Sequence, residues 1–467
     1  MIKFLRMTPA VWVILVWTLT VLPSLPVRSF IWEEGTNAEL ARDMLVHGNM
    51  LEPSIYGVRW AEKPSLLPWL IVGVARLTGE VNEWSARLPA MLAVLVTALL
   101  VLSLARRLAS TPAAFFAAAC FLFCPLLLRK LTIAEPDTII TVLSFAALVI
   151  WWRGAQTRVS WRRWLACGML LTTAAMAKGP QPIAYFALGV GGFIVLHRRW
   201  GDLPGLMLSL VMPAIAVVAW AIAVYRPGDL TVWLGYMRLG HRIEPVAYLV
   251  ERVRFSGVLM LDLLPATLLL PFMVHQWQER RLGEKSTLIK AMFCYAGMAT
   301  LVLFLWPGAN TRYAMQAAPA CAVMAGLAID DLWQRCRVVS RFAAILLAAL
   351  FAYQLVLVTV VMPMFPHSFG ATRIAGQTID QAIGRAPAPA FNIDGPDTNQ
   401  LFYVSHPIHG LDLRDAMKVA PPAWLLLAPH KLSWIEAQNP DFAVSQLIST
   451  TSGVELVAAR IGSRPAP

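Results

Sequence analysis

Charge is what this chain has least of. Only 14% of its 467 residues are Asp, Glu, Lys or Arg, against roughly 25% in soluble domains. With 58% hydrophobic residues and many long apolar runs, the deficit excludes an ordinary soluble domain and points to a polytopic membrane protein. Cysteine is scarce as well. The six are Cys120, Cys124, Cys167, Cys294, Cys321 and Cys336, all in or beside apolar segments and without metal-type spacing. That pattern speaks against a disulfide framework or a cysteine metal site and for small buried hydrophobes. The net charge of +12 comes largely from short basic clusters that flank apolar runs. No basic surface interleaved with aromatics is present, so membrane orientation and anionic lipid are the expected cause, not nucleic acid.

The apolar runs set the organisation. Lys3 and Arg6 followed by an apolar stretch resemble a signal peptide, but no small-residue cleavage site follows, so 9–26 is expected to be a retained anchor. Ser65 to Leu77 is apolar but shorter than the roughly 20 residues a span needs, and is expected to be interfacial or re-entrant. Further spans are expected near 88–105, 112–128, 137–152, 163–178, 181–197, 204–225, 257–275, 288–305, 313–332 and 341–363. In that register the clusters Arg106-Arg107, Arg153 to Arg163, Arg198-Arg199, Arg280 to Lys285 and Arg335 to Arg341 all fall on the cytoplasmic side. Arg129-Lys130 is the exception outside. After Pro363 the composition turns polar. FNID, LFYV, WLLLAP and VELVAAR look like short strands and LSWIEAQ like a helix, so 364–467 is expected to be a small extracytoplasmic α/β domain. It carries no nucleophile elbow, phosphate loop or metal motif.

The chemistry gathers outside. The first outer loop, within 28–87, packs Glu33, Glu34, Glu39, Asp43, Glu52, Glu62 and Lys63 between hydrophobic flanks. A chain this apolar keeps so many charges together only where water, substrate or a partner ion meets them. Ala38, Ala41, Met44 and Leu45 recur at helical spacing, which predicts an amphipathic helix along the membrane surface, with Glu33 and Glu34 just before it. Later outer loops add Arg129, Lys130, Glu135 and Asp137, then Lys178, then Arg238, His241, Arg242, Glu244, Arg252 and Arg254, then Asn310, Arg312 and Tyr313. Carboxylates and cations on one boundary suit an anionic lipid-linked substrate. Arg and Lys hold a phosphate, and a carboxylate accepts a proton from a nucleophile. Some of these residues read as well in simpler ways. Glu34 and Asp137 are also helix-start charges, Lys63 a snorkelling anchor, and Arg312 and Tyr313 interface anchors. Lys178 reads better as an anchor than as a ligand, and His241 and Arg242 as solvated loop residues.

The segments WEEGTNAELARDML, AEKPSLLPWLI and WSARLPAML, followed by AEPDT, AKGP and RYAMQAAPA, resemble in order those of the GT-C glycosyltransferases of the aminoarabinose lipid A transferase and protein mannosyltransferase kind. The resemblance covers about residues 9 to 330. It implies a polytopic α-helical GT-C-like fold of about 11–13 transmembrane helices. Residues 1–363 would form the transferase domain, with interfacial helices in its first loop. It also implies that Glu33 takes the place of the family's first-loop catalytic Asp and Glu34 that of the neighbouring Glu. Lys63 would match the Lys implicated at the lipid phosphate, with Glu62 its neighbour. Asp137 resembles the second-loop acid, and Arg312 and Tyr313 the late Arg-Tyr pair. Two positions depart from the pattern: Glu33 replaces Asp, and Asn37 replaces Tyr.

The reaction so implied is inverting transfer of a glycosyl group from a polyprenyl-phosphate sugar to a lipid A, glycan or protein hydroxyl on the non-cytoplasmic face, in a bacterial inner membrane. Glu33 would take the proton, with Asp137 in support, while Lys63 and Arg312 would stabilise the departing phosphate. No cofactor is required. Clustered carboxylates leave a divalent metal open, without a ligand spacing that argues for one. The alternatives are a transporter or flippase for a lipid-linked sugar, and a non-catalytic scaffold of the same fold. Against the transporter stand the lack of an inverted repeat and of paired broken helices.

Overall fold

A backbone inside a membrane must satisfy its own N–H and C=O groups, and long apolar runs do so as helices. The computed structural model describes residues 8–155, 159–236, 244–278, 283–393, 397–438, 444–452 and 454–461. The chain divides into two compact units. The first is Met1–Pro23, Glu62–Leu67 and Pro89–Val360; the second is Ser24–Ala61, Pro68–Leu88 and Val361–Pro467. The first-loop segments Ser24–Ala61 and Pro68–Leu88 therefore group with the C-terminal domain and Glu62–Leu67 does not, a division that a single cut at 363 does not capture.

Among the described residues five helices are long and apolar enough to cross a membrane: Glu83–Ala105, Pro136–Ala155, Trp200–Val224, Glu284–Leu305 and Arg337–Met364. At about 1.5 Å per residue each matches or approaches the roughly 30 Å hydrocarbon core. Shorter apolar helices cover Pro9–Ser24, Leu66–Thr78, Thr111–Leu122 and Gln181–Leu196. Trp161–Lys178 and Ala318–Arg335 are helices of 18 residues each at two further expected spans. In the first unit, Gly189 lets helices approach closely, since a Cβ there would meet the Tyr295 backbone at 2.7 Å.

One expected span is not continuous. Residues 257–275 read as a single apolar stretch, but the helix Pro245–Asp262 ends there and Ala266–Gln278 leaves at 96°. Pro265 sits in the break, without an N–H to continue the ladder. The Asp262 carboxylate at the corner accepts from Arg129 at 2.7 Å and from Thr311 Oγ1 at 2.8 Å. Arg252 and Arg254, expected in a loop, lie on the first limb. Arg252 is buried there and donates to the carbonyls of Leu303, Phe304 and Trp306. Arg238, His241 and Arg242 lie outside the described residues.

The second unit holds a five-stranded sheet of order β4-β3-β5-β7-β6. Its strands are β3 (Ala390–Ile393), β4 (Ile408–Leu411), β5 (Ala423–Leu427), β6 (Val444–Ser452) and β7 (Val454–Ile461). A two-stranded hairpin, β1 (Ser54–Ile55) and β2 (Val58–Arg59), precedes them in the chain. β3 runs parallel to β4 and β5; β7 runs antiparallel to β5 and β6. β5 is the axis. Trp424 and Leu426 pack on one face, Leu425 and Leu427 on the other, all fully buried.

Two expectations in this unit are corrected. LFYV is not a strand. Asp397 caps a short helix at Thr398–Leu401, and Phe402 and Tyr403 turn back so that their rings lie 4.8 Å and 5.8 Å from that of Phe30. The amphipathic helix forms over Glu34–His47, but Ala38, Ala41 and Met44 are covered by protein and so are not offered to lipid. Its first turn packs on the 398–402 segment. Gly35 donates to Asn399 Oδ1 at 2.9 Å, and a Cβ at Gly35 would stand 2.6 Å from the Asn399 Cα.

Candidate active site

In the second unit the site begins at a strained turn. Trp32 has φ +56°, a region bulky side chains rarely occupy. Its carbonyl accepts from Asn399 Nδ2 at 2.8 Å, which fixes the turn. Glu33 follows, half-buried, at the N-cap position of the helix that starts at Glu34. The Glu33 carbonyl accepts both the backbone N–H of Asn37 and its side-chain amide, at 3.1 Å and 2.8 Å. Asn37, one of the two departures from the family pattern, therefore clamps the residue expected to do the chemistry.

Glu34 has a different environment. It is fully buried, and its two oxygens accept from four donors. Arg87 grips it in bidentate fashion, Nε to Oε1 at 2.8 Å and Nη2 to Oε2 at 3.0 Å. Arg28 Nη2 adds a bond of 3.2 Å and the Ile31 N–H one of 3.1 Å. The rest of the Arg87 fork binds the carbonyls of Arg28 and Ser29, both at 2.9 Å. Burial, with Arg87 beside it, lowers Arg28 to about 10, still charged at neutral pH. A carboxylate so held has no lone pair left for a substrate proton. Its surroundings are those of a structural ion pair. Arg87 is the residue that sequence reasoning missed as Glu34's partner; the signal was the Arg-Leu-Pro of WSARLPAML. Burial also raises Glu39, against the pull of Arg42.

The first unit carries its own cluster of charged residues. Asp137 follows Pro136 at the start of the Pro136–Ala155 helix and is 3% exposed. Its Oδ1 accepts from Lys178 Nζ, while Oδ2 has no hydrogen-bond partner among the described residues. Lys178 ends its helix just before Gly179, at φ +73°. Its ammonium lies 5.0 Å from the centroid of the Tyr313 ring, and the Arg312 guanidinium lies 5.2 Å from the same ring. Arg312 and Tyr313 sit on a 3₁₀ turn, Thr311–Ala317, capped by Asn310. The Tyr313 carbonyl is held by Tyr185 Oη at 2.8 Å and Gln181 Nε2 at 3.1 Å. Lys130 and Glu135 form a second buried ion pair. Lys178, Lys130 and Arg312 are the cations whose field falls on Asp137.

Lys178, expected to be an anchor, is thus the direct partner of Asp137, and helix periodicity alone could not reveal a contact 41 positions apart. Glu62 and Lys63 are half-buried in the first unit. Glu33 and Glu34 lie in the second unit; Glu62, Lys63, Asp137, Arg312 and Tyr313 lie in the first. Among the described residues no group of three or more His, Cys, Asp or Glu is placed to hold a metal ion.

Apolar helices with a strained acidic first loop, a carboxylate beside several cations at helix ends and a small C-terminal sheet define a polytopic membrane protein of the GT-C glycosyltransferase fold. Residues 62–222 match the family described as dolichyl-phosphate-mannose-protein mannosyltransferase. The chain is 30% identical over 225 residues to the undecaprenyl phosphate-alpha-4-amino-4-deoxy-L-arabinose arabinosyl transferase of Enterobacter sp. (strain 638), covering 45% of this chain and 39% of that one. It is 28% identical over 319 residues to the protein of the same name from Edwardsiella ictaluri, covering 63% and 55%. These matches span about half or less of those relatives' length. The fold extends further. The crystal structure of ArnT from Cupriavidus metallidurans bound to undecaprenyl phosphate superposes with a TM-score of 0.72 over 98% of each chain, at 18% identity. The resemblance read from the sequence, to GT-C glycosyltransferases of the aminoarabinose transferase kind, is borne out.

Proposed function

We propose that this protein transfers a glycosyl group from a polyprenyl-phosphate-linked sugar to a hydroxyl of a glycolipid, glycan or protein. The acceptor oxygen attacks the anomeric carbon opposite the phosphate, the bond to phosphate breaks with its electron pair, and the configuration inverts. Glu33 accepts the acceptor proton. Lys63, Lys178 and Arg312 neutralise the phosphate, Asp137 orients Lys178, and Tyr313 supports both cations. Glu62 flanks Lys63. Glu34 holds the first loop in shape and takes no proton. The active face and the C-terminal domain lie on the non-cytoplasmic side of a bacterial inner membrane, supported by the basic clusters at the opposite helix ends.

The observation that carries this reading is the contrast within the Glu33-Glu34 pair. One carboxylate is fully buried against two arginines; the other is half-buried at the N-terminus of a helix, after a strained residue. Mass spectrometry of extracted lipids and envelope glycans tests it, with intact, deleted and Glu33→Gln cells at matched protein level. A glycan mass lost in both mutants, with a sugar-phosphate lipid accumulating, is the expected result and identifies the sugar. A profile changed only by the deletion removes Glu33 from the reaction and favours a transporter or scaffold.

A further inference from the structure

A cavity of about 400 Å³ opens wholly within the second unit. Trp32 and Trp60 contribute aromatic walls, and Asn392, Asp397 and Asp412 line the rest with acceptors. Asn392 and Asp412 lie at the carboxyl ends of β3 and β4, two neighbouring parallel strands. Ligands of α/β sheets bind outside those ends. Two polar groups of the lining residues lack partners among the described residues. Asn392 is 3% exposed, and its Oδ1 has no hydrogen-bond partner among the described residues; nor has the Trp60 indole N–H. Keeping a buried amide oxygen unanswered is costly. A fold tolerates that cost where a ligand supplies the donor.

The lining specifies the ligand's chemistry. Indole walls match the C–H faces of a pyranose ring, and amide and carboxylate oxygens match its hydroxyl donors. An anion fits badly. The cation at the rim, Arg59, is bound to Glu52 at 2.8 Å, and two carboxylates repel a phosphate. We propose that this cavity is a binding site for a neutral or amine-bearing pyranose unit of the acceptor. The assignment to the acceptor, though not the site itself, rests on the transferase reading above.

The test uses the full chain in lipid nanodiscs and saturation-transfer NMR with methyl α-glucopyranoside, glucosamine and glucose 1-phosphate as probes. The first two receive saturation and the phosphate does not. Trp60→Phe, which removes the indole N–H and trims one aromatic wall, and Asn392→Leu each weaken binding about tenfold, at least the worth of one lost hydrogen bond. Asn392→Leu also keeps or raises the melting temperature, because an unanswered amide is replaced by an apolar group. If Asn392→Leu lowers the melting temperature, Trp60→Phe decides alone. No saturation of either sugar, or unchanged binding in Trp60→Phe, overturns the site, whatever the protein's activity. Transfer assays with an envelope lipid extract as acceptor separate the two sources of sugar. A raised acceptor KM with unchanged donor KM supports the assignment; a raised donor KM overturns it in favour of the donor's sugar. Sugar binding by a wild-type protein that transfers nothing refutes the transferase reading and leaves a sugar site standing.

Discussion

Glu34 in the second unit and Asp137 in the first are both buried carboxylates held by cations, yet they are finished differently. Glu34 is gripped by a guanidinium fork, a second arginine and a backbone N–H, so every acceptor position is used. Asp137 has one ammonium on one oxygen and leaves Oδ2 without a partner among the described residues. A saturated buried pair fixes a shape. A carboxylate with an open oxygen beside several cations keeps the capacity to respond to a new charge. The difference teaches that proximity of opposite charges does not mark a reactive site; what the partners leave unsatisfied does.

The largest effect expected follows from breaking the saturated pair. Arg87→Leu leaves Glu34 charged in a buried site without its guanidinium fork, although Arg28 and the Ile31 N–H still donate to it. It should cost roughly 3–5 kcal/mol, read as lost folded protein in fluorescence-detected size exclusion and a lower melting temperature. Asp137→Asn should behave oppositely. Its amide oxygen still accepts from Lys178, whose ammonium is partly exposed, so the variant should lose less stability than Arg87→Leu, while transfer falls by about 10²-fold in a rate normalised to folded protein. Equal melting losses in the two variants would erase the comparison.

A smaller effect comes from a half-buried carboxylate that neither pair resembles. Burial pushes Asp380 up, but hydrogen bonds from His406 and Ser405 more than offset it and hold the group below the ordinary aspartate range. A depressed folded-state pKa contributes stability above the unfolded value, lost as pH falls through the folded one. Melting curves between about pH 3 and 7 should therefore show a shallower acid limb in Asp380→Ala than in the parent, the parent's advantage being greatest near neutral pH and fading at the acid end.

Much of this was legible in the sequence, for a physical reason. Long apolar runs have few alternatives to helix in a membrane, so the positions of Pro136–Ala155, Leu203–Val224 and Glu284–Leu305 agree closely with expectation. The corner at 263–265 was hidden because hydropathy sums composition and does not register a bend, although Pro265 marked the place. LFYV was misread because four apolar residues suit a strand and a buried turn equally, and Asp397, which caps the turn, lies outside the run. In the candidate site the residue types were visible but their partners were not. Glu34 meets Arg87 and Asp137 meets Lys178 across 53 and 41 positions, and only the fold closes such distances.

The central claim is that Glu33 reacts and Glu34 holds. The most direct test measures transfer rate and folded yield for Glu33→Gln and Glu34→Gln side by side. The account predicts a Glu33→Gln protein that folds and melts like the parent but transfers about 10²–10⁴-fold more slowly. It predicts a Glu34→Gln protein that is poorly folded, because two buried arginines lose their counter-charge. A well-folded, inactive Glu34→Gln beside an active Glu33→Gln would contradict it.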